Sequence, residues 1–261
     1  SFAIVKSNGQ SEISTLISPD VSICEDCRAE LFAPADRRYR YPFINCTNCG
    51  PRYTIIDDIP YDRPKTSMRH FRMCADCQAE YDDPTNRRFH AQPNACAECG
   101  PHVTLYDASI RRIDTPDPIR EAAALLKNGF ILAVKGLGGF HLAADAANAD
   151  AVGRLRQRKI REEKPFAVMS NDIASVRRYA HVDDTEEHMI SSIQRPIVLL
   201  GKKTDADLIC DDVAPRNRYF GVMLLYTPLH YLLLEHDFTA LVMTSGNLSE
   251  EPIAIDNEEA F

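Results

Sequence analysis

From residue 118 onward the chain alternates short apolar runs with amphipathic stretches, and that alternation predicts its elements. Residues 119–128 place apolar side chains on one face of a helix that Gly129 ends. Phe130–Val134 is apolar and strand-like, and Lys135-Gly-Leu-Gly-Gly-Phe-His141 follows as a loop. Asn148 can cap a helix running through Lys159. Phe166–Met169 is a strand, Ile173–Ala180 and Asp184–Ser192 are helical, and Pro196–Leu200 is a strand. Residues 219–225 are extended. Thr227-Pro228 then supplies a cap and a proline at the first helical position for a helix to Glu235. Ala240–Thr244 is a last strand leading into Ser245-Gly-Asn247. Strands alternating with helices imply a buried mixed or parallel sheet. A Pro/Asp stretch over residues 114–118 marks a boundary, so 114–261 is expected to form one α/β domain and 1–113 a separate module.

That first module is organised by cysteine. Eight of the nine cysteines form four C-x-x-C pairs, Cys24/Cys27, Cys46/Cys49, Cys74/Cys77 and Cys96/Cys99, separated by 18, 24 and 18 residues. The pattern recurs at an offset of 50, and Asp26/Asp76, Glu30/Glu80, Arg37-Arg38/Arg87-Arg88 and Gly50-Pro51/Gly100-Pro101 recur with it. Residues 22–57 and 72–107 are therefore a tandem duplication. Two C-x-x-C pairs at this separation are the ligand set of a tetrahedral zinc site, and four thiolates leave no open position for catalysis. Two structural zinc ions are expected. Pairing within each unit, 24–49 and 74–99, is simplest, while exchange (first pair with fourth, second with third) would suit a pseudo-twofold module. Gly50 and Gly100 follow the second pairs, where a tight turn uses φ > 0. Units this small bury little core, so metal would supply much of their folding energy. Losing it should loosen residues 24–110 and leave the α/β domain folded.

Other readings of the cysteines fit less well. A disulfide framework sits poorly with a long disulfide-poor second part, and a redox C-x-x-C occurs once, on a βαβ unit. His70, His90 and His102 are surplus to eight thiolates and belong at the surface or in hydrogen bonds. Cys210, alone in an acidic loop, is incidental. The Arg37-Arg-Tyr-Arg-Tyr41 stretch is expected to serve packing or domain contact.

Charge narrows the partners. Lys plus Arg is 30 and Asp plus Glu is 38, a balance of −8 over 261 residues. Residues 1–113 hold 14 basic and 15 acidic groups, and residues 114–261 hold 16 and 23. This argues against nucleic-acid binding through the overall field. The longest uncharged run, Tyr219–Leu234, falls short of a membrane span, is interrupted by Pro228 and carries His230. The chain starts at Ser1 with neither initiator Met nor signal peptide, so an internal piece of a longer cytoplasmic polypeptide is expected.

Against the acidic second part, one basic run stands out: Arg154, Arg156, Arg158, Lys159, Arg161 and Lys164, broken by Glu162 and Glu163. A solvated helix face is the plain reading, and Arg154 is taken as such a solvent-facing member. Arg161 and Lys164, however, lie past the helix end, where an α/β sheet can present cations to a polyphosphate. The glycine-rich turn after Val134 is neither a P-loop nor a dinucleotide fingerprint, and alone it reads as a strand-to-helix turn. Ser245-Gly-Asn247 sits at a strand's carboxyl end, a usual place for ligand contacts.

Lys159-x-Arg161-x-x-Lys164 with Ser245-x-Asn247 resembles the signature of YrdC-type domains. With Tyr41-Pro-Phe-Ile-Asn-Cys46, Tyr61-Asp-Arg-Pro64, Arg87-Arg-Phe-His-Ala-Gln-Pro93, Gly138-Gly-Phe-His141 and Met243-Thr-Ser-Gly-Asn247, nearly the whole chain resembles the hydrogenase-maturation carbamoyltransferases, the HypF family. The resemblance implies an α+β, mixed α/β architecture: a tandem zinc-finger module, then a YrdC-like domain with a twisted mixed sheet. It implies that carbamate from carbamoyl phosphate is adenylated with ATP and Mg²⁺, then passed to a cysteine of a partner maturation protein for cyanide-ligand synthesis. Lys159, Arg161 and Lys164 would take the triphosphate. Thr244, Ser245 and Asn247 would contact nucleotide or carbamoyl group, and His141 could reach the carbamoyl end or merely stabilise its loop. The family's acylphosphatase-like and transfer domains have no counterpart in the sequence, and the YrdC-like domain stops short of its usual end, so full activity would need more chain. Threonylcarbamoyl-adenylate synthesis for tRNA modification shares the YrdC-type signature, and a zinc-dependent interaction module without activity is the non-enzymatic alternative.

Overall fold

The computed structural model describes residues 17–161, 163–203, 207–247 and 251–261, so Glu162 of the basic run lies outside the described residues. Each finger opens on its first cysteine pair. Cys24 precedes helix α1 (Glu25–Phe32) and Cys74 precedes α2 (Ala75–Asp82), and the Cys24 sulfur accepts the Cys27 N–H at 3.4 Å. After each helix the chain turns through a left-handed residue at the same repeat position, Arg40 (φ 57°) and His90 (φ 52°). Gly50 takes φ 73°, the turn its position predicts. Gly100 does not adopt a left-handed φ. It is needed for space, because a Cβ there would lie 2.0 Å from the Tyr41 hydroxyl oxygen.

Beyond the fingers come α3 (Pro118–Lys127), strands β1 (Leu132–Gly136) and β2 (Gly139–Asp145), α4 (Ala149–Arg158), β3 (Ala167–Ser170) and α5 (Ile173–Val176). Then follow α6 (Asp184–Ser191), β4 (Val198–Gly201), β5 (Tyr219–Leu224), α7 (Pro228–Leu234), β6 (Leu241–Ser245) and α8 (Asn257–Ala260). The helix starts are those the polar residues predict. Asn148 accepts from the Ala151 N–H, Thr227 caps α7 ahead of Pro228, and Asp183 with Glu186 closes a capping box on α6.

One element departs from the pattern reading. Residues 135–141 are not a loop leading to a helix: β1 and β2 form a hairpin with Gly136 opposite Gly139, and Gly138 takes φ 78° at its turn. The segment 139–145 is interior, flanked by β1 and β6, and is buried at most positions, so no polar alternation marks it as a strand. The helix expected over Ile173–Ala180 is shorter, closing in turns after Val176.

The strands form one mixed sheet in the order β1-β2-β6-β3-β5-β4, parallel between β3 and β5 and antiparallel elsewhere. Alternate residues feed two apolar layers. Val168, Val222 and Val242 pack with Val152, Leu155, Val176 and Ile190 beneath α4, α5 and α6. Met169, Met223, Leu241 and Met243 face the other way, toward Ile119, Leu126, Leu232 and Leu233 of α3 and α7. That second layer continues into Ile23, Leu31, Tyr41 and Ile44, so the fingers and the sheet share one core. Arg40 reinforces the junction through ion pairs to Glu235 and Asp117.

Candidate metal centres and nucleotide site

The cysteines gather by repeat: Cys24, Cys27, Cys46 and Cys49 form one cluster, and Cys74, Cys77, Cys96 and Cys99 the other. Exchange between repeats does not occur. Sulfurs lie 3.5 Å apart for Cys24/Cys46, 3.9 Å for Cys46/Cys49, 3.8 Å for Cys74/Cys96 and 3.6 Å for Cys77/Cys99. A tetrahedron with metal–sulfur bonds of about 2.3 Å has edges of about 3.8 Å, whereas a disulfide needs about 2.05 Å. Both sets fit a structural zinc ion. The histidines stay outside: His70 is exposed, His102 shares a hydrogen bond with the Ala97 carbonyl, and His90 stacks on Tyr81. Cys210 is free and half-buried.

At the carboxyl end of β6 the basic run meets Ser245-Gly-Asn247. Lys159, just past the end of α4, donates from Nζ to the Ser245 carbonyl at 2.6 Å and to the Asn247 carbonyl and Oδ1 at 3.1 Å. Asn247 Oδ1 also accepts the Ser245 hydroxyl at 2.7 Å, and its Nδ2 donates to the Glu251 carbonyl. Arg161 donates to the Thr244 hydroxyl at 3.2 Å and lies over the buried Phe166 ring. Burial, then the nearby Arg161 and Lys164 charges, lower the Lys159 ammonium from its ordinary value. Lys164 is exposed, and its ammonium has no partner among the described residues. Three cations are thus collected at one strand end, where they repel each other and favour an anion.

Arg156 and Arg154 of the same run make structural contacts. Arg156 binds the carbonyls of Asp212, Arg161 and Lys164, which fixes the connection that carries the cations. Arg154 is exposed but does not merely face solvent: its guanidinium donates to the Gly129 carbonyl and ties α4 to the end of α3.

Beside Ser245 opens a cavity of about 420 Å³. His141 on β2, opposite Ser245 in register, lines it together with Arg195, Tyr226 and, from the finger side, Asp20 and Thr54. The Asp20 carboxylate fixes that wall by accepting the Tyr53 N–H at 2.9 Å. Two buried nitrogens on lining residues make no hydrogen bond among the described residues, His141 Nδ1 and Arg195 Nε. Burial lowers the His141 imidazole from its ordinary value.

A family model described as telomere recombination, Sua5/YciO/YrdC, matches residues 124–261. The chain belongs to the Sua5/YciO/YrdC family. The HypF finger model matches it twice, at 23–56 and 73–106. The carbamoyltransferase HypF2 of Cupriavidus necator is 51% identical over 274 aligned positions, 99% of this chain and 34% of that one. The HypF of T. kodakarensis superposes with a TM-score of 0.90 at 47% identity, over 98% of this chain and 34% of that structure. A full-length HypF solved in a phosphate- and nucleotide-bound form gives 0.87 at 54% identity over 94% of this chain and 32% of that one. The chain spans about a third of the length of the curated relatives it matches. Homology to the HypF carbamoyltransferases, expected from the motifs, is borne out.

Within this Sua5/YciO/YrdC chain, Lys159, Arg161, Thr244, Ser245 and Asn247 converge on one turn, with Lys164 at its edge and His141 one strand away. Pattern reading missed Arg195 and Tyr226. Arg195 has a left-handed backbone (φ 49°) before Pro196, and its place in the cavity depends on how β4 docks, which no local signal encodes. No helix among the described residues is long and apolar enough to cross a membrane.

Proposed function

We propose that this chain is the ATP-handling part of a carbamoyltransferase of nickel–iron hydrogenase maturation, with a zinc-finger module over residues 1–113 and a YrdC-like domain over 114–261. The observation that carries the reading is the meeting of three cations with the Ser245–Asn247 turn beside a cavity of about 420 Å³. The nucleotide- and phosphate-bound state of a relative 54% identical supports it. ATP with Mg²⁺ and carbamate, itself derived from carbamoyl phosphate, would be the substrates. A carbamate oxygen attacks the α-phosphorus, forming a P–O bond as the α–β anhydride bond breaks and pyrophosphate leaves. The attacking oxygen is already anionic, so no protein group removes a proton. Catalysis is then positioning and stabilisation of charge on the phosphates.

The side chains divide this work. Lys164 and Arg161 contact the polyphosphate directly. Lys159 and Asn247 hold the turn in shape, Thr244 steadies Arg161 through its hydroxyl, and the Ser245 hydroxyl, His141 and Arg195 face the small reactant. The carbamoyl group would pass in the cytoplasm to a cysteine of a partner maturation protein. Two HypF fingers favour carbamate over threonylcarbamate as the group adenylated.

Titration calorimetry with Mg²⁺–ATP tests the site. Lys164→Ala should weaken binding roughly 10- to 100-fold, the loss of one charge-assisted contact, without changing thermal stability. Lys159→Ala should weaken it comparably and lower the melting temperature. Arg154→Ala should leave ATP affinity within about twofold. Equal small effects from Lys164 and Arg154 would return the basic run to a solvated face, and no ATP binding at all would leave a zinc-dependent interaction module.

A further inference from the structure

Two arginine pairs at the same repeat position, Arg37-Arg38 and Arg87-Arg88, reach across to the opposite finger. Arg37 donates to Cys77 Sγ at 3.1 Å and to Glu80 at 2.9 Å, both in the second finger. Arg87, its counterpart 50 residues on, donates to Cys27 Sγ at 3.1 Å and pairs with Glu30, both in the first. Arg38 reaches Glu80 at 3.0 Å and the Ala95 carbonyl at 2.9 Å, while Arg88 reaches Glu30 and the Asn45 carbonyl at 3.2 Å. Arg38 is 2% exposed and Arg88 is 4% exposed. Among the described residues, every arginine–sulfur hydrogen bond crosses from one finger to the other. Thr47 adds a further crossing, donating its N–H to the Arg87 carbonyl at 3.0 Å.

We propose that the two metal sites are loaded and lost as a coupled pair, because each tetrathiolate cluster is completed by the arginine pair of the opposite finger. The proposal rests on reading the cysteine clusters as zinc sites. A divalent ion with four thiolates carries a net charge of about −2, and donors to the sulfurs stabilise that charge. The donors for the second cluster are carried by residues 37 and 38, which lie between the two cysteine pairs of the first. That segment keeps its shape only while the first cluster is closed, since a finger this small folds around its metal. Losing one ion therefore withdraws the arginines from the other. Glu30 and Glu80 aim the guanidinium groups, and a lysine could supply the charge but not the fork that bonds carboxylate and sulfur together.

The crossed arrangement makes a crossed prediction. Zinc-loaded chain is incubated with a zinc chelator and N-ethylmaleimide, and the alkylated cysteines are mapped by mass spectrometry. In the Arg37→Gln/Arg38→Gln variant, Cys74, Cys77, Cys96 and Cys99 of the intact-sequence finger should react first, with zinc retention there lowered about 10- to 100-fold. The first finger's cysteines should follow with a lag. Arg87→Gln/Arg88→Gln should reverse the order. Arg37→Gln alone, at a partly exposed position, should give the same order more weakly and serves if the double variant fails to fold. Arg37→Lys/Arg38→Lys should restore retention only in part. Cysteines of the first finger that stay unreacted after the second has lost its zinc overturn the coupling, and reaction first in the mutated finger overturns the crossed completion, whereas an unmodified chain purified without zinc would overturn the metal reading itself.

Discussion

His230 on α7 is wholly buried, and neither ring nitrogen has a hydrogen bond among the described residues. Tyr226 meets the ring edge-on at 4.5 Å. Burial, then the nearby His141, push the imidazole down to about 3, against about 6.5 in the unfolded chain. A folded-state value held this low means that the unfolded chain takes the proton first. Stability is therefore full above pH ~6.5 and falls as the pH drops toward 3, by up to about 1.4 kcal/mol per unit. His230→Leu has no polar atom to strand and should keep or raise stability at pH 7. Urea midpoints of parent and variant at pH 7 and pH 5.5 should differ in slope, the variant losing less. Protonation of the cysteine thiolates acts alike in both proteins, so equal acid sensitivity would rule out the His230 contribution. Nothing in the flanking Thr227-Pro228 cap distinguishes this histidine from an exposed one; its burial is a property of how α7 packs on the sheet.

At the scale of elements, the duplicated fingers show what repetition does and does not carry over. Gly50 and Gly100 occupy the same repeat position with different physical demands. Gly50→Ala meets only Val21, at 3.9 Å, and should cost about 1 kcal/mol for its left-handed backbone. Gly100→Ala places a Cβ 2.0 Å from the buried Tyr41 hydroxyl and 2.6 Å from Ala95, so it should cost about 2–3 kcal/mol. Tyr41→Phe removes a hydroxyl that has no partner, and should rescue part of the Gly100→Ala loss in the double variant, the Ala95 contact remaining. Denaturant unfolding of the zinc-loaded proteins checks the order, and a Gly50→Ala loss equal to or larger than that of Gly100→Ala would refute it. The same contrast explains what was legible. Caps and spacing are local, so α3, α4, α6, α7, the cysteine pairs and the Ser245–Asn247 turn could be read directly. The β2 strand could not, because a fully flanked strand lacks alternation, and the crossing of Arg37 and Arg87 could not, because pairing between repeats is tertiary.

For the whole molecule, the decisive contact is the apolar layer that runs from the fingers under α3 and α7 to one face of the sheet. A boundary drawn at residues 114–118 predicts that the α/β part stands alone once metal is removed. The shared layer argues otherwise. Ile23, Leu31 and Ile44 are at most 6% exposed and belong to the cluster that holds Leu126, Leu232 and Met243, so unfolding the fingers would uncover that face. Exposing three such side chains and their neighbours removes roughly 1.5–3 kcal/mol apiece, a large fraction of a domain's net stability. The opposite layer, Val152, Leu155, Val176 and Val222 beneath α4 and α5, contains no finger residue. Zinc removal should therefore split the response across the sheet. Hydrogen exchange after chelation should show loss of protection in α3 and α7 together with residues 23–100, while α4 and β4 stay protected. The finger wall of the cavity, Asp20 and Thr54, would be lost at the same step, so Mg²⁺–ATP should still bind the cations while the small-reactant side of the site opens to solvent. Unchanged protection in α7 after complete loss of zinc would show that the two parts fold independently and that the shared layer is only a contact between finished units.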